Sequence, residues 1–209
     1  MHHQEDFSLS PAEMLAEGIA LLRAPHCAPE AIRVMNGALT RLRDLMGSQD
    51  VAVAAASSSG NLSQKKSSMD ATSRSKSETV IYSTVNKMHR YTQVEVPFPV
   101  DDRFYLHSYA LLYEADVSSL LHDVDCLDFM CATTAYNLAV AFHSWGLREN
   151  NDKMLQKAMA FYQTCLGVIG RNQSCSSSFA FLALAALNNQ SCICFEFGDM
   201  KLYHEIQRK

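Results

Sequence analysis

The amino-acid sequence predicts a mainly α-helical protein built from paired helices, and three observations carry that expectation. Apolar residues recur at three- and four-residue steps on both sides of a serine-rich segment, the period of helices with one buried face. Helix-starting and helix-ending residues flank those stretches: Ser10-Pro11 before the first, and Gly47, Gly146 and Gly198 after later ones. The chain of 209 residues is 48% hydrophobic, enough to bury a core of ordinary size.

The first stretch reads "SPAEMLAEGIALLRA". Ser10 serves as N-cap, Pro11 suits the first helical position, and Glu13 complements the helix dipole. Met14, Leu15, Gly18, Leu21 and Leu22 share one face. After the turn "APHCAP", the second helix "EAIRVMNGALTRLRDLMG" presents Ala31, Ile32, Met35, Ala38, Leu39 and Leu42, with Gly47 as its stop. Two such helices joined by a short turn form a hairpin, assigned to residues 1–47.

Composition changes abruptly over 48–78, a serine-rich run short of large apolar residues. Such a run buries too little surface to offset its ordering entropy, so it is expected to be a disordered insertion. Arg74, three residues before Ser77, matches a basophilic-kinase pattern, although most such matches are inert. Further on, Thr92, Val94 and Val96 alternate with polar neighbours, the period of a half-buried strand. "PFPVDD" turns the chain and "RFYLHSYALLYE" returns it, giving a small β-hairpin at the start of a unit spanning 79–209.

Helical periodicity resumes in "FMCATTAYNLAVAFHSWG", ending at Gly146. The next helix, "DKMLQKAMAFYQTCLGVIG", takes Asp152 as N-cap and buries Leu155, Ala158, Met159, Tyr162, Cys165, Leu166 and Ile169. "FAFLALAALNNQSCICFEFGD" and a closing "MKLYHEIQRK" follow. At one constant offset, Asn137, Leu138, Ala139, Phe142 and Gly146 align with Asn189, Gln190, Ser191, Cys194 and Gly198. Small residues at such places let antiparallel helices approach closely while a large neighbour fills the groove.

The motifs "EGIALL…EAIRVMNGAL", "NLAVAFHSWG…KAMAFYQTCL" and "NNQSCICFEFGD" resemble the tetratricopeptide repeat (TPR) family of stacked helical hairpins. The pattern departs from the family in lacking the early tryptophan, since Trp145 stands elsewhere, and in exceeding its period of about 34 residues. The resemblance implies an α-α superhelix whose first helices line a concave groove that holds a peptide or partner helix. Transferred to this chain, the groove residues are Tyr136, Asn137, Val140 and His143, then Asn188, Asn189, Cys192 and Glu196, with Leu15, Ile19 and Leu22 in the first hairpin. Amide side chains both donate to and accept from a peptide backbone, which is the physical case for asparagine there. The competing reading has Asn137 and Asn189 bonding the loop of a neighbouring hairpin. Asn137 matches one asparagine of the family's carboxylate clamp, but the other four places hold Leu15, Ile19, Ala185 and Asn189, not basic residues and asparagine in the required order, so an acidic tail is a poor ligand.

Charged residues are 19% of the chain and the net charge is −4, which argues against phosphate-driven nucleic-acid binding. No signal sequence or membrane-length apolar run is read, so the sequons at Asn61, Asn172 and Asn189 are taken as chance matches. Seven scattered cysteines read as reduced thiols of a cytoplasmic or nuclear protein. His122 and Asp123, with Cys126 and Cys131 following, have helical spacing for zinc but lack further ligands, so no metal or cofactor is expected. Cys192 and Cys194 point apart on a helix and read as packed thiols. No G-x-S-x-G elbow, P-loop or G-x-G-x-x-G occurs. The expected function is noncatalytic capture of a protein or peptide. The alternatives are a helical-bundle enzyme with an unidentified Cys/His or His-Asp site, and an incomplete array that self-associates.

Overall fold

A computed structural model describes residues 9–24, 26–58, 91–96, 108–113, 124–172 and 176–208. Its elements are α1 (Pro11–Leu22), α2 (Ala28–Ser58), β1 (Tyr91–Glu95), β2 (Tyr109–Tyr113), α3 (Val124–Arg148), α4 (Asp152–Arg171), α5 (Ser177–Glu196) and α6 (Met200–Ile206). The described residues are thus mainly helical, with one small antiparallel sheet. Helices pack chiefly on their sequence neighbours, α1 on α2, α2 on α3, and so on to α6.

The chain enters α1 through a capping box. Ser10 Oγ accepts from the Glu13 amide at 3.3 Å, and Glu13 Oε2 accepts from the Ser10 amide at 2.7 Å. The bond from the Ser10 backbone, then that from its side chain, hold the Glu13 carboxyl below its usual pKa. Leu15, Gly18, Ile19 and Leu22 form the buried face, one step round from the expected stripe at Leu21. On α2 the six expected apolar residues are all buried.

The two helices meet closest at Gly18, where a Cβ would overlap the Met35 side chain and lie 3.3 Å from the Ala31 carbonyl oxygen. Gly18→Val is therefore expected to cost about 1–3 kcal/mol by overpacking, read as a lower urea midpoint. Gly167→Ala is the control. Its Cβ would meet nothing within 4 Å, so the gain in helix propensity should leave stability unchanged or about 1 kcal/mol higher.

Helix α2 does not stop at Gly47 but runs to Ser58, correcting the boundary expected there. Gly47 has open space around it, and the alanine-rich run "VAVAAA" restores helix propensity beyond it. The rest of the expected insertion, with the Arg74–Ser77 pattern and the Asn61 sequon, lies outside the described residues, as does the "PFPVDD" turn.

The expected strands form with the register Gln93↔Leu111 and Val94↔Ala110. Val94, Val96, Ala110 and Leu111 are buried, and β2 packs on α3 and α1. Helix α3 is the centre of the molecule, buried on every side from Phe129 through Ser144 because α2, α4, α5 and β2 surround it.

A short corner joins α3 to α4. Asn150 takes a left-handed φ of 49°, and the Asn151 amide donates to the Gly146 carbonyl at 2.8 Å. Asn151, not Asp152, is the N-cap of α4, its side chain accepting from the Lys153 amide at 3.1 Å. Leu155, Ala158, Tyr162 and Cys165 are buried as expected, and Val168 joins them. Met159, Leu166 and Ile169 are only half-buried, because the α4 stripe is narrower than its apolar content. Phe129 and Phe179 meet edge-on at 5.2 Å between α3 and α5. Gly198 then turns the chain at φ 68°, and Asp199 caps α6.

Candidate functional site

The residues assigned to a groove divide into two groups. Tyr136, Asn137, Val140 and His143 of α3 are fully buried, as are Asn189 of α5 and, nearly so, Leu15, Ile19 and Leu22 of α1. They do not line an open groove, and the expectation for them is corrected. The cause is β2, which lies across α1 and α3, together with α4 and α5, which close over the rest of α3. Asn188 and Cys192 are half-buried and Glu196 is exposed, so only the α5 share of that face reaches the surface.

Asn137 performs the task expected of it, but on the protein's own chain. Its Oδ1 accepts from the Leu111 amide at 2.8 Å and its Nδ2 donates to the Leu111 carbonyl at 2.8 Å. One primary amide thus satisfies both backbone groups of a strand residue, as a residue of an adjacent strand would.

Asn189 is the centre of a second buried polar group. Its Nδ2 donates to Tyr162 Oη at 2.9 Å and to Tyr136 Oη at 3.5 Å, while Tyr162 Oη stands 3.4 Å from His143 Nδ1. The tyrosine rings tilt against each other at 5.8 Å, and His143 meets Tyr162 edge-on. These contacts join α3, α4 and α5. Burial pushes both phenols well above their usual pKa and depresses His143 to about 3. The imidazole is therefore neutral near pH 7, and neither phenol ionises. The group is built for cohesion rather than proton transfer.

A stability effect follows from His143. Between about 6.5, its unfolded value, and about 3, the unfolded chain binds a proton that the folded chain does not. Stability should fall as pH drops through that window, by up to about 1.4 kcal/mol per pH unit. His143→Leu should flatten this dependence in urea titrations between pH 7 and 4, whereas an unchanged slope would assign it elsewhere.

The thiols of α3, α4 and α5 are similarly quiet. Burial pushes Cys131 and Cys192 up to about 11 and raises Cys165 and Cys194. None of these four has the lowered pKa of an activated nucleophile. Among the described residues, no three His, Cys, Asp or Glu side chains gather as metal ligands. His122 and Asp123 lie outside the described residues, and Cys126 and Cys131 are buried within α3.

Sequence reasoning places Tyr162 in the core but misses it as the partner of Asn189, and it misses Leu111 as the partner of Asn137. The small-aromatic-small spacing around Tyr162 is the available signal for the first. Ser191, expected as a close-packing residue, is buried and also accepts from Gln207 Nε2 at 3.0 Å, tying the C-terminal residues to α5.

The outer stripe of α5 carries two of the exposed large apolar residues. Phe181, Leu184, Asn188, Cys192 and Phe195 follow at three- and four-residue steps, with Leu184 67% and Phe195 42% exposed. By length and composition α5 could also cross a membrane, but 56% of that window is buried inside the fold. No protein-family model, curated protein or solved structure matches the chain.

Proposed function

We propose that this protein is a noncatalytic interaction module of TPR-like helical hairpins that binds a peptide or partner helix along α5. The observation that carries this reading is the apolar exposure of the α5 stripe at Leu184 and Phe195, with the half-buried Asn188 amide beside them. The equivalent faces of α1 and α3 are covered by β2, so α5 is where a second chain finds the same kind of surface open. Successive packing of α1 through α6 supports the repeat reading. Apolar residues at three- and four-residue steps with a central polar group suit an amphipathic helix laid alongside. The thiols and the imidazole described above supply no poised acid, base or nucleophile, in keeping with a binding role.

Photo-crosslinking tests the assignment. A benzophenone side chain at Leu184 should capture a discrete partner from native lysate, and the same group at Lys153 on α4 should not. Leu184→Ser/Phe195→Ser should abolish co-purification of that partner while the helical circular dichroism is retained. Equal capture at both positions, or co-purification that survives the double substitution, would sink the reading.

A further inference from the structure

A concavity lies on another side of α3, and the binding surface on α5 does not include it. Helices α2, α3 and α4 leave a cleft of about 340 Å³ between them. Cys131 of α3 is at its base, six residues from the strand-holding Asn137 and so roughly 120° from it around the helix axis. Leu39 and Val168, both buried, form apolar walls from α2 and α4, and Met46 extends the α2 side, its Sδ 3.3 Å from Cys131 Sγ. Thr164 adds a hydroxyl on the α4 side, and two cations complete the lining: Arg43 follows Leu39 by one helical turn, and Arg171 follows Val168 by another.

Both arginines are exposed at the rim, and among the described residues neither makes an ion pair. Of the nearby acids, Asp128 feels the Arg171 charge, and both Asp128 and Asp125 accept from one amide. Asn172 Nδ2 donates to Asp128 Oδ2 at 3.0 Å and to Asp125 Oδ1 at 3.3 Å. Arg43, Arg171 and Asp128 all act electrostatically on the Cys131 thiol, which places the three charges within reach of one another across the cleft. Burial keeps that thiol protonated, so it is an apolar floor and not a nucleophile.

We infer that this cleft binds a small amphipathic carboxylate, its apolar body between Leu39, Cys131 and Val168 and its head group held by Arg43 and Arg171. The volume is at the lower end of the range for ligand pockets, about 300–1,000 Å³, which suits an aryl acid or a medium-chain fatty acid. Guanidinium groups match a carboxylate's two oxygens in a planar fork. Asp128, whose charge reaches both Cys131 and Arg171, opposes a second negative charge, which favours a monoanion over a phosphate monoester. The apolar floor requires a hydrocarbon body, so a bare inorganic anion fits poorly.

Methionine-methyl NMR on the full chain tests this, with the Met46 signal assigned by Met46→Leu. Octanoate should shift the Met46 methyl saturably, with a dissociation constant in the range of about 0.1–5 mM for a ligand of this size. Octanol and inorganic phosphate should each bind at least about tenfold more weakly, since each lacks one half of the recognition. Arg43→Gln/Arg171→Gln alters only exposed side chains and should weaken octanoate about tenfold or more without unfolding the protein. The proposal is overturned if Met46 does not respond to octanoate, if octanol binds equally well, or if the double variant keeps its affinity. A shift confined to Met159 or Met200 would also overturn it, placing the fatty acid on another surface.

Discussion

Asn189→Ala is expected to lower the stability of the protein by about 3–4 kcal/mol. The amide is fully buried and is the donor to both Tyr162 Oη and Tyr136 Oη. Truncation removes the amide donor from two buried phenols, at about 1–3 kcal/mol for a buried hydrogen-bonding group that loses its partner, and opens a void beside them. Against a total stability of about 5–15 kcal/mol, a loss of this size is a large fraction. Packing loss and hydrogen-bond loss separate in a double-mutant cycle with Tyr162→Phe. Coupling of about 1 kcal/mol or more, measured by urea denaturation, identifies the hydrogen bond. Purely additive effects would show that the amide only fills space.

Asn137→Ala should cost about 2–4 kcal/mol, and its effect should be local before it is global. The Leu111 amide and carbonyl lose both partners, and a two-stranded sheet has little stability of its own. Amide exchange at Ala110 and Leu111 should therefore quicken while helical circular dichroism persists. Asn137→Asp makes the sharper comparison. A carboxylate still accepts from the Leu111 amide, but it has no donor for the carbonyl and buries a charge. Asn137→Asp should be at least as damaging at pH 7 and should recover as pH falls and the carboxyl gains a donor proton. A loss below about 0.5 kcal/mol for Asn137→Ala, with exchange unchanged, would remove this amide from its strand-holding role.

Local pattern carries much of the fold. The Ser10-Pro11-Glu13 start, the small residue at Gly18 and the alternation around Val94 each describe interactions within a few residues or between elements adjacent in the chain, and those interactions form. Gly47 misleads because its weak stop signal is outweighed by the alanines after it. The candidate site is legible in its residue types but not in its exposure. Asn137 reads as a holder of extended backbone, which it is, yet nothing in the spacing tells whether that backbone belongs to another molecule or to β2. His143 and Tyr136 carry polar atoms at helical positions equally suited to a groove or to a core. Their burial depends on the arrival of β2 and α5, a long-range event that periodicity along one helix cannot record. The cleft at Arg43 and Arg171 escapes for the same reason, since its two walls come from helices separated by the whole β-hairpin.

The bonds from Asn189 bear on how the molecule comes apart. In a stack of helical hairpins, each unit touches only its neighbours, and the ends unravel first at little cost. Here one amide on α5 reaches past its adjoining helix α4 to a phenol on α3, so the last hairpin cannot detach without stranding polar groups at the centre. Helices α3, α4 and α5 are thereby made a single cooperative unit, whose slowest-exchanging amides should share one opening free energy. Helix α6 is held to α5 by Ile206, the Gln207–Ser191 bond and the edge-on contact of Tyr203 with Phe195, none of which reaches α3, and it can fray independently.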